Sequence, residues 1–181
     1  MVQANRLILQ AAWLVALSLT STPSFAREHS ASPSGDVDPK TGMRFPAHAG
    51  AFEREGGIGY DNAGYPEATY VAGRIALASV FYYKNLPFAA EYANCRDAVR
   101  SKTPSARLIS DGPSNLHPGG RRAVFTFEDV LLGGPKTKLL SELLMFPRGD
   151  YHLTFRVTYL ASHADRVRQE IDSLVRAFKR Q

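Results

Sequence analysis

Three stretches late in the chain decide the fold: AVFTFEDV at 123–130, TKLLSELLMF at 137–146 and YHLTFRVTY at 151–159. The first alternates. Ala123, Phe125 and Phe127 share one face, and Val124, Thr126 and Glu128 the other, which is the period of a half-buried strand. The second is apolar on both faces (Leu139, Leu140, Leu143, Leu144, Met145, Phe146), as expected of a central strand covered on both sides. The third alternates again, with Leu153, Phe155, Val157 and Tyr159 against His152, Thr154, Arg156 and Thr158. Gly133-Gly134-Pro135 and Pro147-Arg148-Gly149-Asp150 read as turns. Three strands joined by short turns make an antiparallel meander.

Downstream of the meander, Val167, Ile171, Leu174, Val175 and Phe178 recur at helical spacing, while Arg166, Arg168, Glu170, Asp172 and Arg176 mostly fall elsewhere. Ser162 is the expected N-cap, with Asp165 at N3, where a carboxylate favours the helix N-terminus. This amphipathic helix should dock on the sheet.

Upstream, GPSNLHPGG at 112–120 reads as a loop and 106–111 as a strand. Residues 86–102 read as a helix, with Ala89, Ala90, Ala93 and Ala98 recurring and Tyr92, Arg96 and Val99 at helical spacing, ended by Thr103-Pro104. ATYVAG at 68–73 and IALASVFYY at 75–83 are rich in β-branched and aromatic residues, as a hairpin or as one long bent strand. Phe52–Arg54 and Gly59–Asp61 read as two short strands separated by Gly56-Gly57. The class is α+β, a single domain with one mostly antiparallel sheet flanked by helices.

The first residues are an address. Arg6 precedes an apolar stretch from Leu7 to Leu19, and Ser24-Phe25-Ala26 has small residues at the −3 and −1 positions. The stretch is shorter than the about 20 residues of a spanning helix. A signal peptide over 1–26, cleaved after Ala26, is therefore expected, with a periplasmic or secreted mature protein and no transmembrane segment after cleavage. Residues 27–46, with Pro33, Pro39 and Pro46 among serines and glycines, read as a flexible linker. The α+β domain then occupies 47–181.

Several pieces resemble a known plan. Phe52-Glu53-Arg54 leads to Tyr60, a strand of small and aromatic residues ends in Tyr82-Tyr83, and Phe155-Arg156-Val157-Thr158-Tyr159 precedes a final amphipathic helix. In this the chain resembles a group of uncharacterised exported bacterial proteins whose layout is similar to the Mog1/PsbP-like fold. The resemblance covers most of residues 47–178. It implies an antiparallel sheet flanked by helices, transfers no catalytic residue, and points by analogy to a binding or assembly module.

The chemistry is mostly exclusion. The chain of 181 residues has 22 Lys+Arg against 17 Asp+Glu, a net charge of +5 with both signs interspersed. No long basic run offers a nucleic-acid arm. The densest basic spots, Arg121-Arg122 and Lys179-Arg180, read as a solvated strand start and a helix C-terminus. Cys95 is the single cysteine, so no internal disulfide or thiolate metal site can form; it is buried as a small hydrophobe, the favoured reading, or else free or paired with another chain. The five histidines have no H-x-x-x-H spacing, and G-x-S-x-G, Walker A and G-x-G-x-x-G sequences are absent. Gly56-Gly57-x-Gly59 reads as a turn or bulge needing positive φ rather than a phosphate cradle. No catalytic residue, metal site or cofactor is assigned.

What remains is an exported, non-catalytic binding or interaction domain, whose partner is an envelope protein or a small ligand. The candidate binding residues are Arg54, Tyr60, Tyr82, Arg156 and Tyr159, as a concave patch of arginine and strand tyrosines. The alternative is an exported hydrolase in which His117 or His152 meets a carboxylate and a hydroxyl in a pocket. A third reading is an envelope-surface protein held by its basic face.

Overall fold

The computed structural model describes residues 37–61, 63–84 and 86–179, the side chain of Lys179 excepted. The expected signal peptide and the start of the linker (27–36) lie outside the described residues. The meander forms as its alternation requires. Strands β6 (Arg121–Val130), β7 (Lys136–Arg148) and β8 (Tyr151–Leu160) pair antiparallel in sequence order. Leu139 to Phe146 of β7 are buried without interruption.

Strand β8 then pairs with a distant partner, β4 (Ala76–Tyr83), with Ala78 opposite Val157 and Val80 opposite Phe155. Joining these two strands brings in β3 (Pro66–Ala72), β2 (Phe52–Tyr60) and the two-residue β1 (His48–Ala49). Strand β5 (Arg107–Pro113) is the opposite edge. The result is one antiparallel sheet in the order β1-β2-β3-β4-β8-β7-β6-β5. Helices α1 (Phe88–Lys102) and α2 (Ala164–Lys179) pack on it.

The alternation of the central strands sends their side chains into two cores. One face meets α2, where Val167, Ile171, Leu174, Val175 and Phe178 are buried against Tyr70, Val80, Leu144, Phe155 and Val157. The other meets α1, where Tyr92, Cys95 and Val99 pack on Phe125, Phe127, Leu139, Leu143 and Met145. On the α2 side the aromatic rings are edge to face. Phe178 lies 5.8 Å from Phe45, 5.9 Å from Tyr70 and 5.3 Å from Phe155, and Phe155 lies 5.9 Å from Phe146. Leu174 is fully buried, so Leu174→Ala is expected to cost roughly 2–5 kcal/mol, read from the shift of the urea midpoint at constant slope.

The structure departs from the sequence reading at four places and resolves a fifth that the sequence leaves open, the hairpin of 68–83. The two short strands around Gly56-Gly57 are one strand, β2. Its pairing with β3 shifts register between Glu55 and Gly59, and Gly56 has a φ of 76° there. A bulge at glycine lets the strand bend without ending. The segments 68–73 and 75–83 are a hairpin rather than one bent strand, turned at Gly73. Strand β5 runs on to Pro113, so the loop is shorter than expected. Ser162 does not cap α2. It lies inside a 3-10 turn over Ala161–His163, where its hydroxyl meets His163 Nδ1. Finally, residues 37–46 carry structure where composition suggested linker. Met43 and Phe45 belong to the α2-side core, and Val37 bridges Arg44. Two large apolar anchors offset the ordering entropy of an otherwise polar segment.

The turn between β1 and β2 is pressed against α2. A Cβ on Gly50 would lie 2.7 Å from Ser173 Cβ, and Gly50 has a φ of 66°, so only glycine fits there.

Candidate functional site

The structure does not gather the five candidate residues. Arg54 donates to the carbonyls of Phe45 and Gly56, stapling the segment before β1 to β2. The Tyr60 hydroxyl donates to Asp38 Oδ1 at 2.8 Å, and Lys40 Nζ sits 5.4 Å from the Tyr60 ring centre. Burial alone would raise the Asp38 carboxyl, but hydrogen bonds from Thr41 and Tyr60 outweigh it and hold the group low. Tyr82 stacks on Tyr151 at 4.8 Å and 15°. Tyr159 is fully buried on the α2 side. Arg156 and Tyr159 are three residues apart on one strand, so they point to opposite faces. Arg156 lies alone of the five on the α1 side.

That side carries a partly open surface, whose Phe81 and Thr154 are buried. Helix α1 packs on β6 and β7. Beyond it, one row of residues crosses four strands in register: Glu55, Thr69, Ser79 and Arg156. The row Val71, Leu77 and Thr158 flanks it on one side, and Glu67, Phe81 and Thr154 on the other. Thr69, Val71, Leu77 and Ser79 are half-buried, and Glu55 is exposed. Arg156 Nε donates to Ser141 Oγ at 3.4 Å, and Thr158 donates to the same oxygen at 3.1 Å. Burial pushes the Arg156 guanidinium down to about 10, so it stays charged at neutral pH. Lys102, at the end of α1, is lowered by burial and then by Arg156. The row thus has a carboxylate at one end and two cations at the other, roughly 14 Å apart at three strand spacings.

The histidines are placed differently from a hydrolytic site. His152 is buried, donates from Nε2 to the Leu86 carbonyl at 2.8 Å, and lies edge-on to Tyr83 and Phe88. Its neighbour Glu91 is fully buried, and burial raises its carboxyl. Both sit in closed packing. His117 contacts the Pro118 carbonyl and the Phe146 ring. Among the described residues no histidine hydrogen-bonds to a carboxylate. No group of three or more described histidines, cysteines or carboxylates is arranged to hold a metal.

Cys95 is buried and free, as expected. Its sulfur lies 3.0 Å from the Tyr83 hydroxyl, which also accepts from Thr154 at 3.3 Å. Burial, opposed by the Tyr83 hydrogen bond, pushes the thiol up to about 12. The thiolate is the reactive form. Native protein is therefore expected to resist iodoacetamide and to label fully in denaturant. Labelling of the native protein at the rate of a free cysteine would contradict this packing.

The least expected group lies on the α2 side. Glu142 is 1% exposed, in the middle of the buried run of β7. Its Oε2 accepts from Arg122 Nε at 2.8 Å, with Arg122 Nη2 at 2.7 Å. Its Oε1 accepts from the Tyr159 hydroxyl at 2.6 Å, with Arg168 Nε at 3.6 Å. One carboxylate thus ties β6, β8 and α2 to β7. The sequence did carry a signal for it, a single charge inside an apolar run. Arg121, read as solvated, instead donates to Asp111, as do Tyr92 and Arg96 of α1.

No protein-family model matches the chain, and no curated protein matches it. No helix of the described residues is long and apolar enough to cross a membrane.

Proposed function

We propose that the protein is an exported, non-catalytic binding domain of the α+β class. Its signal peptide is removed after Ala26, and its partner lies on the α1-side sheet face. The observation that supports this is the row Glu55, Thr69, Ser79 and Arg156, which runs across four strands beyond the packing of α1. The row offers hydroxyl donors and acceptors along its length, apolar residues beside it and opposite charges at its ends. An extended polypeptide with a basic residue over Glu55 and an acidic one towards Arg156 and Lys102 is its complement. The resemblance to exported proteins of Mog1/PsbP-like layout favours the same class by analogy.

Affinity capture from an envelope extract tests this, using the tagged chain from Arg27 onward at low and moderate salt. Wild type is expected to hold a protein at moderate salt and Thr69→Arg to lose it, while Glu128→Arg, on the opposite face of the sheet, keeps it. Equal capture by Thr69→Arg places the partner elsewhere. Material that washes off with salt favours non-specific attraction to the basic protein.

A further inference from the structure

We propose that the notch between the β3–β4 turn and the start of α2 binds a small organic monocarboxylate. Arg74 and Arg166 would take the carboxylate, and Ala72, Ile75 and Val167 its apolar body. The notch is a cavity of about 260 Å³, below the size of most drug-binding sites and suited to a compact ligand. It lies at the end of the α2-side core, apart from the row described above.

Three features carry the assignment. The first is a fixed wall. Ala51 donates its backbone N–H to Glu170 Oε2 at 2.9 Å, and the glycine at position 50 lets the β1–β2 turn close onto α2. The cavity is therefore bounded by the β3–β4 turn and by a β1–β2 turn tied to α2. The second is the state of its arginines. Arg96, Arg121, Arg122, Arg168 and Arg176 all meet carboxylates of the chain. Arg74 and Arg166 come from different elements and line the same cavity. Among the described residues neither guanidinium makes a hydrogen bond or ion pair. Two planar donors at one mouth suit a carboxylate, which can accept two parallel N–H bonds from one guanidinium and a further bond from the other.

The third feature is the balance of charge and polarity. Glu170 lines the same cavity, so two guanidinium groups and one carboxylate leave a single positive charge, which matches a monoanion better than a dianion. The floor is apolar, with Val167 1% and Ala72 5% exposed. An ion with no hydrocarbon part would leave it uncovered, whereas an aryl or short-chain carboxylate covers it and keeps its charge at the rim.

The test is a titration of the purified, nitrogen-15-labelled protein, followed through backbone amide shifts. The probes are benzoate, its neutral isostere benzamide, and inorganic phosphate. Benzoate is expected to give saturable shifts at Ala51, Gly73 and Arg74, with benzamide and phosphate at least about tenfold weaker. The double variant Arg74→Gln/Arg166→Gln should weaken benzoate by a similar factor. Ala51→Phe should abolish binding by filling the mouth without changing charge. All the altered side chains are exposed, so the fold is expected to survive, and the dispersion of the amide spectrum checks that. Equal binding of benzamide, unchanged affinity in the double variant, or no saturation with benzoate would each overturn the proposal. Phosphate binding tighter than benzoate would overturn the monocarboxylate assignment.

Discussion

Glu142→Ala is expected to cost about 3 kcal/mol of folding stability, out of the 5–15 kcal/mol typical of a native domain. The carboxylate is 1% exposed and accepts from two strands. Removing it takes the acceptor from the Tyr159 O–H in the α2-side core, which alone costs about 1–3 kcal/mol, and leaves that hydroxyl only Arg168 as a partner. It also leaves the Arg122 guanidinium beside a cavity. Arg122 is 30% exposed and can turn towards water, which keeps the loss below that of a wholly buried charge. Glu142→Gln keeps the volume and an acceptor for Tyr159, and should lose less. Combined replacement by Glu142→Leu, Arg122→Met and Tyr159→Phe should recover much of the loss, because breaking an ion pair is worse than replacing it. Urea unfolding of the three variants decides the matter. A Glu142→Ala variant within 1 kcal/mol of wild type would show that the carboxylate is not a tie of the fold.

The second large effect is expected at Phe155. Its ring is fully buried between Phe146 and Phe178 in a central strand. Strand β8 is paired on both sides, by β4 and β7, so the backbone cannot move in to fill a void. Phe155→Ala should therefore cost about 3–5 kcal/mol, at the upper end for a large-to-small change. Part of that is the loss of two edge-to-face ring contacts, each about 0.5–1.5 kcal/mol. Phe155→Leu keeps most of the volume and should lose markedly less. Phe178→Ala removes more ring contacts, but it sits near the end of α2, where local fraying can relieve the cavity. The ordering Phe155→Ala, then Phe178→Ala, then Phe155→Leu is thus expected in thermal melts. A Phe155→Ala loss no larger than that of Phe155→Leu would mean that the core relaxes around the site.

Much of the fold was legible because it is local. β6, β7 and β8 are adjacent, joined by short turns, and written in period two, so their faces followed from the residues. The apolar stripe of α2 was equally plain. The glycines of β2 signal a break, and only pairing with β3 shows a bulge in a continuous strand. Composition averages over residues 37–46, whereas Met43 and Phe45 act singly.

The candidate site was less legible. Alternation along 151–159 already puts Arg156 and Tyr159 on opposite faces, which argues against one patch containing both. Glu142 was visible as a charge in an apolar run, but its partners Arg122, Tyr159 and Arg168 come from three elements. Arg74 and Arg166 carry no local signal at all. They line one cavity only because the β3–β4 turn and α2 meet at the same end of the sheet.

By itself, then, the sequence determined the periods of β6, β7 and β8, the two helices and the apolar stripe of α2. These follow from side chains a few residues apart. The tertiary structure alone decided that β8 pairs with β4, that the early segment joins the core, and which charges meet. Those depend on contacts between residues far apart in the chain, whose partners are selected by the packing of the whole sheet and not by any local pattern.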